Sequence, residues 1–269
     1  MAKTDTKKQE KAFAAVLKKA KSKWSGEEAD ELEPIAELVF SFLMWNATSR
    51  QADTAFGKIM AQVVDLNELR VSLTNEVIEM IGVRYPDANS RIIRMLQSMM
   101  EIFDREHDYK MGSLAARSKR EQRDYLDTLP GMTPFVSARV ALLSFGAHAM
   151  PVDDRLLTLL TKAGVFEPGT TPADAEGWLT RQVKAGEAMD AYLALQEWSD
   201  SQRVTLPSPP KAEVFKTAPV QEEPPKKTKA AATKKATTTK KVAKKTTKKT
   251  TKKKTAKKKA TKKRVAKKK

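Results

Sequence analysis

Apolar residues recur at helical spacing through most of the chain, and strict apolar–polar alternation never runs beyond about four residues. Pro34 opens an almost continuous apolar run from Ile35 to Trp45, as expected of a central buried helix. Helical patterns follow at Arg50–Val64, Thr74–Ile81, Ala88–Phe103, Lys119–Thr128, Pro134–Phe145, Asp153–Ala163, Pro172–Lys184 and Glu187–Ser199. In Ala88–Phe103 the repeat is plain: Ile92, Ile93, Leu96, Met99, Met100 and Phe103 return at helical spacing. Pro134 and Pro172 stand where helices start, and Gly82, Gly146 and Gly164 where they stop. The pattern predicts an all-α domain over residues 26–205, long enough for one well-buried core in two lobes. Residues 1–25 predict a basic amphipathic helix with Phe13, Val16 and Leu17 on one side, read as an arm outside that core.

The pattern stops after residue 205. Residues 206–225 hold Pro207, Pro209, Pro210, Pro219, Pro224 and Pro225, which read as a stiff, extended linker. Residues 226–269 contain 23 Lys or Arg, 11 Thr, 8 Ala, 2 Val and no acid. Nothing in that array is large enough to bury, so it cannot offset its ordering entropy and is expected to be disordered.

Charge sharpens this division. The whole chain carries +18, yet residues 26–225 sum to −11 and the last 44 residues to +23. Lysine is a flexible point charge that suits phosphates and reads no bases, so the tail is expected to bind DNA nonspecifically. The absence of cysteine excludes a disulfide scaffold, a cysteine-ligated zinc site and an iron–sulfur cluster. With only His107 and His148, neither a multi-histidine metal site nor a Ser-His-Asp triad is expected. The run Ile35–Trp45 is too short to span a membrane and contains Glu37. The N-terminus lacks the apolar stretch of a signal peptide, so the expectation is an intracellular monomer without a membrane partner.

Candidate chemistry concentrates in one stretch. Leu129-Pro130-Gly131-Met132-Thr133 forms a turn between two helical patterns, with Lys119 and Arg120 just upstream. Downstream, Val152-Asp153-Asp154 opens the next helix after a short loop, where an Asp can cap backbone N–H groups. These residues resemble the helix-hairpin-helix DNA glycosylases of the endonuclease III superfamily: Leu-Pro-Gly, an apolar helix containing Ser137-Ala138, then Val-Asp 22 residues after the Gly. Leu43-Met44-Trp45-Asn46-Ala47-Thr48 resembles the end of the family's early buried helix, and Ile81-Gly82-Val83 its turn before a long helix.

The resemblance implies a hairpin that offers N–H groups to a DNA phosphate, with a monovalent cation on its carbonyls. It implies Asp153 as the catalytic carboxylate, with Asp154 as the alternative, and Asn46 and Phe135 at a pocket for a flipped-out base. Leu129, Pro130, Gly131, Met132, Thr133, Lys119 and Arg120 would then contact DNA. Three departures stand beside it. Phe135 occupies the position of the lyase Lys, so Schiff-base chemistry is not expected. Thr133 replaces the second hairpin Gly, and Pro134 removes an N–H donor. The cysteine-ligated cluster of many relatives is missing.

Plainer readings stay open. Asp153 serves equally well as a simple helix cap, Arg139 and Arg155 read as surface charges, His148 as a solvated histidine, and Trp45 and Phe135 as core. Two functions follow: a monofunctional base-excision glycosylase, or a non-catalytic chromatin or nucleoid DNA-binding protein that keeps the fold as a docking module. Localisation would be nucleoid-associated cytoplasm in a bacterium or the nucleus in a eukaryote.

Overall fold

The computed structural model describes residues 3–26, 32–108 and 110–206. All of them belong to one compact unit, Met1–Lys211. The Pro-rich stretch from Pro207 onward and the lysine array lie outside the described residues. The helices, in chain order, are α1 (Lys3–Lys21), α2 (Pro34–Met44), α3 (Ser49–Met60), α4 (Leu66–Val71), α5 (Thr74–Ile81), α6 (Ala88–Glu106), α7 (Gly112–Ala115), α8 (Lys119–Asp127), α9 (Pro134–Phe145), α10 (Asp154–Lys162), α11 (Pro172–Gln182) and α12 (Ala188–Asp200). A single 3-10 turn, Ala185–Glu187, precedes α12. The described residues contain no strand, and no helix among them is long and apolar enough to cross a membrane.

The two most apolar helices, α2 and α9, pack against each other at the centre. Ile35, Leu38, Val39, Phe42 and Leu43 of α2 are fully buried, as are Val136, Ala138, Val140 and Ala141 of α9. On one side α3 and α6 pack on α2, with α5 against both and α4 against α6; on the other α8, α11 and α12 pack on α9, with α10 and α1 against α12. The two groups of helices are the two lobes, and α2 and α9 form their shared wall. One ion pair lies inside that wall. Arg139 of α9 meets Glu37 of α2 and also donates to the Ser41 and Tyr192 hydroxyls. Burial pushes the Glu37 carboxyl above its ordinary range against the opposing pull of Arg139. Arg139 is therefore an interior residue, not the surface charge its sequence context suggested.

Residues 1–25 also depart from expectation. They are not an arm outside the core: α1 lies along α12, with Phe13, Val16 and Ala20 buried and Phe13 edge-on to Trp178 at 5.7 Å. Burying Phe13 and Val16 contributes on the order of 2 kcal/mol each. Lys21 pairs with Glu187 at 3.1 Å, and the Ser25 N–H donates to Glu197, so the end of α1 is tied down as well. Two short helices escaped the periodicity, α4 and α7, because six and four residues carry too little repeat to see.

Candidate functional site

The site is assembled where α2 ends and α10 begins. At the end of α2 the chain reverses through Asn46, whose φ of +58° lies in the left-handed region that Asn tolerates better than most residues. Thr48 then caps α3 through a reciprocal exchange with Gln51. The reversal turns the Asn46 N–H toward α10, where Asp153 sits in extended backbone as the N-cap. One carboxylate oxygen of Asp153 accepts from the Leu156 N–H at 2.7 Å and the other from the Asn46 N–H at 3.0 Å. The neighbouring Asp154 completes a second pair: the Asn46 side-chain amide donates to its carboxylate at 2.9 Å, and the Asp154 N–H donates to the Asn46 side-chain oxygen at 3.0 Å. Asn46 and the Asp153–Asp154 pair thus clasp two loops more than a hundred residues apart.

Electrostatics follow from depth. Asp153 is 6% exposed. Burial pushes its carboxyl up to about 6, a rise opposed by the Leu156 and Asn46 N–H groups and by Arg155. Arg155 is buried too, a second correction to the surface reading. It donates to Asp200 at 2.8 Å and to the Ser199 carbonyl at 2.7 Å, holding the end of α12 against α10. A cleft of about 430 Å³ lies beside Asn46, lined by Thr48, Pro86, Arg155, Arg203 and Leu206 among others. Asp153 is not part of its lining.

One residue here was not singled out from the sequence. Arg91 is fully buried in the first turn of α6. Its guanidinium donates to the carbonyls of Phe42, Leu43 and Pro86, with Trp45 and Tyr85 rings 5.7 and 5.2 Å from it. Burial lowers it to about 10, while Tyr85, Asp87 and Asp153 pull it back up. It neutralises the exposed carbonyl end of α2 and holds the Trp45–Asn46 turn in place. Its Nη2 has no hydrogen-bond partner. The available signal was its place in the apolar stripe of α6, between Ala88 and Ile92 on one side and Met95 and Met99 on the next turns.

The hairpin joins α8 to α9. Leu129 is buried, Pro130 is exposed, Gly131 and Met132 are half-buried, and Thr133 caps α9 by accepting from the Val136 N–H at 3.3 Å. Pro134 supplies the first helical residue without an N–H to satisfy. Gly131 has φ +80°, and a Cβ there would come within 2.5 Å of the Arg94 carbonyl oxygen. The hairpin therefore needs a glycine to lie against the backbone of α6. Ser98 donates to the Pro130 carbonyl at 2.7 Å, and Arg94 reaches the Gly131 carbonyl at 3.5 Å. With a hydroxyl and a guanidinium already directed at these carbonyls, the residues present fit a monovalent cation poorly.

The cations near the hairpin are also engaged. Arg123 pairs with Glu176 at 2.8 Å and Asp127 at 3.2 Å, and these three line the cleft at the start of α9 together with Thr133 and Pro134. Lys119 donates to the Gly146 carbonyl at the far end of α9, and Arg120 is exposed near Asp124. Phe135 is closed into the core at 3% exposure instead of facing the cleft as a pocket wall would. His148 is at the surface, bonded to the Val183 carbonyl at 2.8 Å. Among the described residues no group of three or more His, Cys, Asp or Glu is placed to hold a metal ion.

No protein-family model matches the chain, and no curated protein matches its sequence. Solved structures do. A trapped endonuclease III–DNA covalent intermediate superposes with a TM-score of 0.55 at 12% identity, covering 70% of this chain and 85% of the other. A thermostable thymine-DNA glycosylase gives 0.53 at 15% identity, covering 72% and 87%. Clostridium acetobutylicum 8-oxoguanine glycosylase/lyase, in complex with double-stranded DNA, gives 0.55 at 13% identity, covering 71% and 69%.

The fold is that of the helix-hairpin-helix DNA glycosylases.

Within this fold the structure brings Asn46, Asp153 and Asp154 together and places Leu129–Thr133 on a hairpin packed against α6. It closes Phe135 into the core and leaves Lys119 and Arg120 exposed on α8.

Proposed function

We propose that this protein binds DNA and uses the glycosylase fold as a scaffold, without base-excision chemistry. The observation that carries the reading is the engagement of Asp153: both carboxylate oxygens accept structural N–H groups, and the side chain is 6% exposed. To meet a sugar, that carboxylate would have to give up its hold on Asn46, and the Asn46–Asp154 pair would have to part with it. The hairpin adds support, since Thr133 occupies one N–H of α9, Pro134 removes another, and Asp127 and Glu176 flank the cleft at its start. Affinity is assigned to the lysine array, which holds 23 cations and no acid in its sequence. The likeness to glycosylase structures supports DNA as the partner.

A second reading, monofunctional excision by Asp153, is favoured by one observation. A carboxyl held at about 6 is mostly ionised at neutral pH, and an ionised carboxylate is the group that could stabilise a developing positive charge on a sugar. One experiment separates the two. The full-length protein is assayed for base release over a panel of damaged duplexes, with Asp153→Asn and Asp154→Asn alongside. The scaffold reading expects no release by any of the three and retained DNA binding by all. Release by the parent that falls about 10²-fold or more in Asp153→Asn alone would establish excision instead.

A further inference from the structure

The outward face of α1 has no role in anything described above. Phe13, Val16 and Ala20 turn to the core. Lys7, Lys11 and Lys18 fall on the opposite side, in one stripe at spacings of four and seven residues, with Lys8 and Lys19 on its flank, and all five are exposed. Beside them stand the small residues Ala14, Ala15 and Ser22. Glu10 lies roughly a quarter-turn off the stripe. Among the described residues α1 makes one ion pair, Lys21 with Glu187, and none to the lysines of the stripe.

Six arginines of the unit, Arg105, Arg117, Arg120, Arg123, Arg139 and Arg155, are paired with carboxylates. The lysines of the stripe make no such pair among the described residues and form an ordered row on α1. Its makeup of lysine with small residues repeats that of residues 226–269.

We infer that the Lys7–Lys11–Lys18 face of α1 is a rigid binding surface for the phosphate backbone of duplex DNA, separate from the hairpin and from the lysine array. The inference rests on the DNA-binding reading above and adds to it a place on the body. Charge complementarity names the partner. The stripe runs about 16 Å along a straight helix, a length over which a duplex passes several phosphates. A lipid surface is the poorer match, because an interfacial helix must bury its apolar face in the bilayer, and here that face is spent on α12 and Trp178. Lysines carry no base readout, so the binding is independent of sequence and falls with salt.

The test is lysine acetylation of the full-length protein, read residue by residue by mass spectrometry, with and without a random-sequence duplex. Lys58, Lys162 and Lys184, exposed elsewhere on the unit, serve as internal controls. The expected result is slowing of about tenfold at Lys7, Lys11 and Lys18 together with the array, and less than about twofold at the controls. The triple variant Lys7→Gln, Lys11→Gln, Lys18→Gln, whose changes point away from the core, should keep its helicity. Its slope of log K against log salt should be shallower by about 2–3, at about 0.9 for each phosphate no longer neutralised. Protection of the array alone, with an unchanged slope in the variant, overturns this inference and leaves DNA binding standing. Protection of neither removes both. Protection of α1 by phosphatidylserine vesicles but not by duplex assigns the face to a membrane and overturns it as well.

Discussion

Two places on this body offer cations to a phosphate, and they are built in opposite ways. At the hairpin Lys119, Arg120 and Arg123 are close in sequence, yet Lys119 is bonded to the Gly146 carbonyl and Arg123 to Glu176 and Asp127. On α1 the lysines are held by a helix whose inner face is fixed in the core, and the stripe meets no acid among the described residues. Counting basic residues in a window therefore misleads. At the hairpin a phosphate competes with Glu176 and Asp127 for Arg123 and with the Gly146 carbonyl for Lys119, whereas the α1 stripe holds no ion pair among the described residues. The hairpin is also packed closely: its glycine lies on α6, its Pro130 and Gly131 carbonyls accept from Ser98 and Arg94, and Thr133 caps the start of α9.

The lysine array is where this contrast is most easily broken. Deleting Lys226–Lys269 should take the slope of log K against log salt from steeper than about −9 to about −3, the remainder being the α1 face. Affinity at about 50 mM salt should fall at least about a thousandfold, to be read by fluorescence anisotropy, and an unchanged slope would return the binding to the hairpin side. Next comes Gly131→Ala. It forces a left-handed φ on alanine and drives a Cβ into the Arg94 backbone, at a cost of about 4 kcal/mol in urea unfolding. A loss of DNA affinity without loss of stability would restore the hairpin as a phosphate anchor.

Asp153 gives the third test, through pH. Its folded value of about 6 lies above the ordinary 3.8, so the folded state holds the proton more tightly than the unfolded chain. The stability this contributes is fully present below about pH 4 and is lost as pH rises through about 6. Two units correspond to about 3 kcal/mol. Asp153→Asn keeps a capping oxygen and has no such dependence. The variant should therefore gain about 3 kcal/mol on the parent between about pH 4 and pH 7. A flat difference across that window would mean that the carboxylate is more hydrated, and more available to a substrate, than its burial indicates. The smallest effect is expected from Lys119→Gln with Arg120→Gln, which should weaken DNA binding less than about twofold. A drop comparable to that of the α1 triple variant would erase the distinction between the two surfaces.

Local features were legible without coordinates. Pro134 and Pro172 do open helices, Gly146 and Gly164 do close them, and Asp153 does sit at an N-cap. The order of apolar helices and the Leu-Pro-Gly to Val-Asp spacing were enough to point to the glycosylase fold. The caps and helix ends depend on neighbours within a few residues, where backbone geometry and capping chemistry act directly, and the spacing adds only an order along the chain.

What only the tertiary structure decided was which charges are buried and what each one faces. Arg139 and Arg155 look like surface residues in their windows, and each is satisfied by a carboxylate far along the chain, Glu37 and Asp200. Arg91 sits in an apolar stripe because the carbonyl end of α2 is brought to it, and α1 belongs to the core because Trp178 is there to meet Phe13. The second oxygen of Asp153 accepts from Asn46, 107 residues away, a partner that no local window of the sequence shows. A polar group's state depends on the partner that desolvates or pairs with it, and that partner is supplied by packing between distant segments, which no local pattern of residues carries.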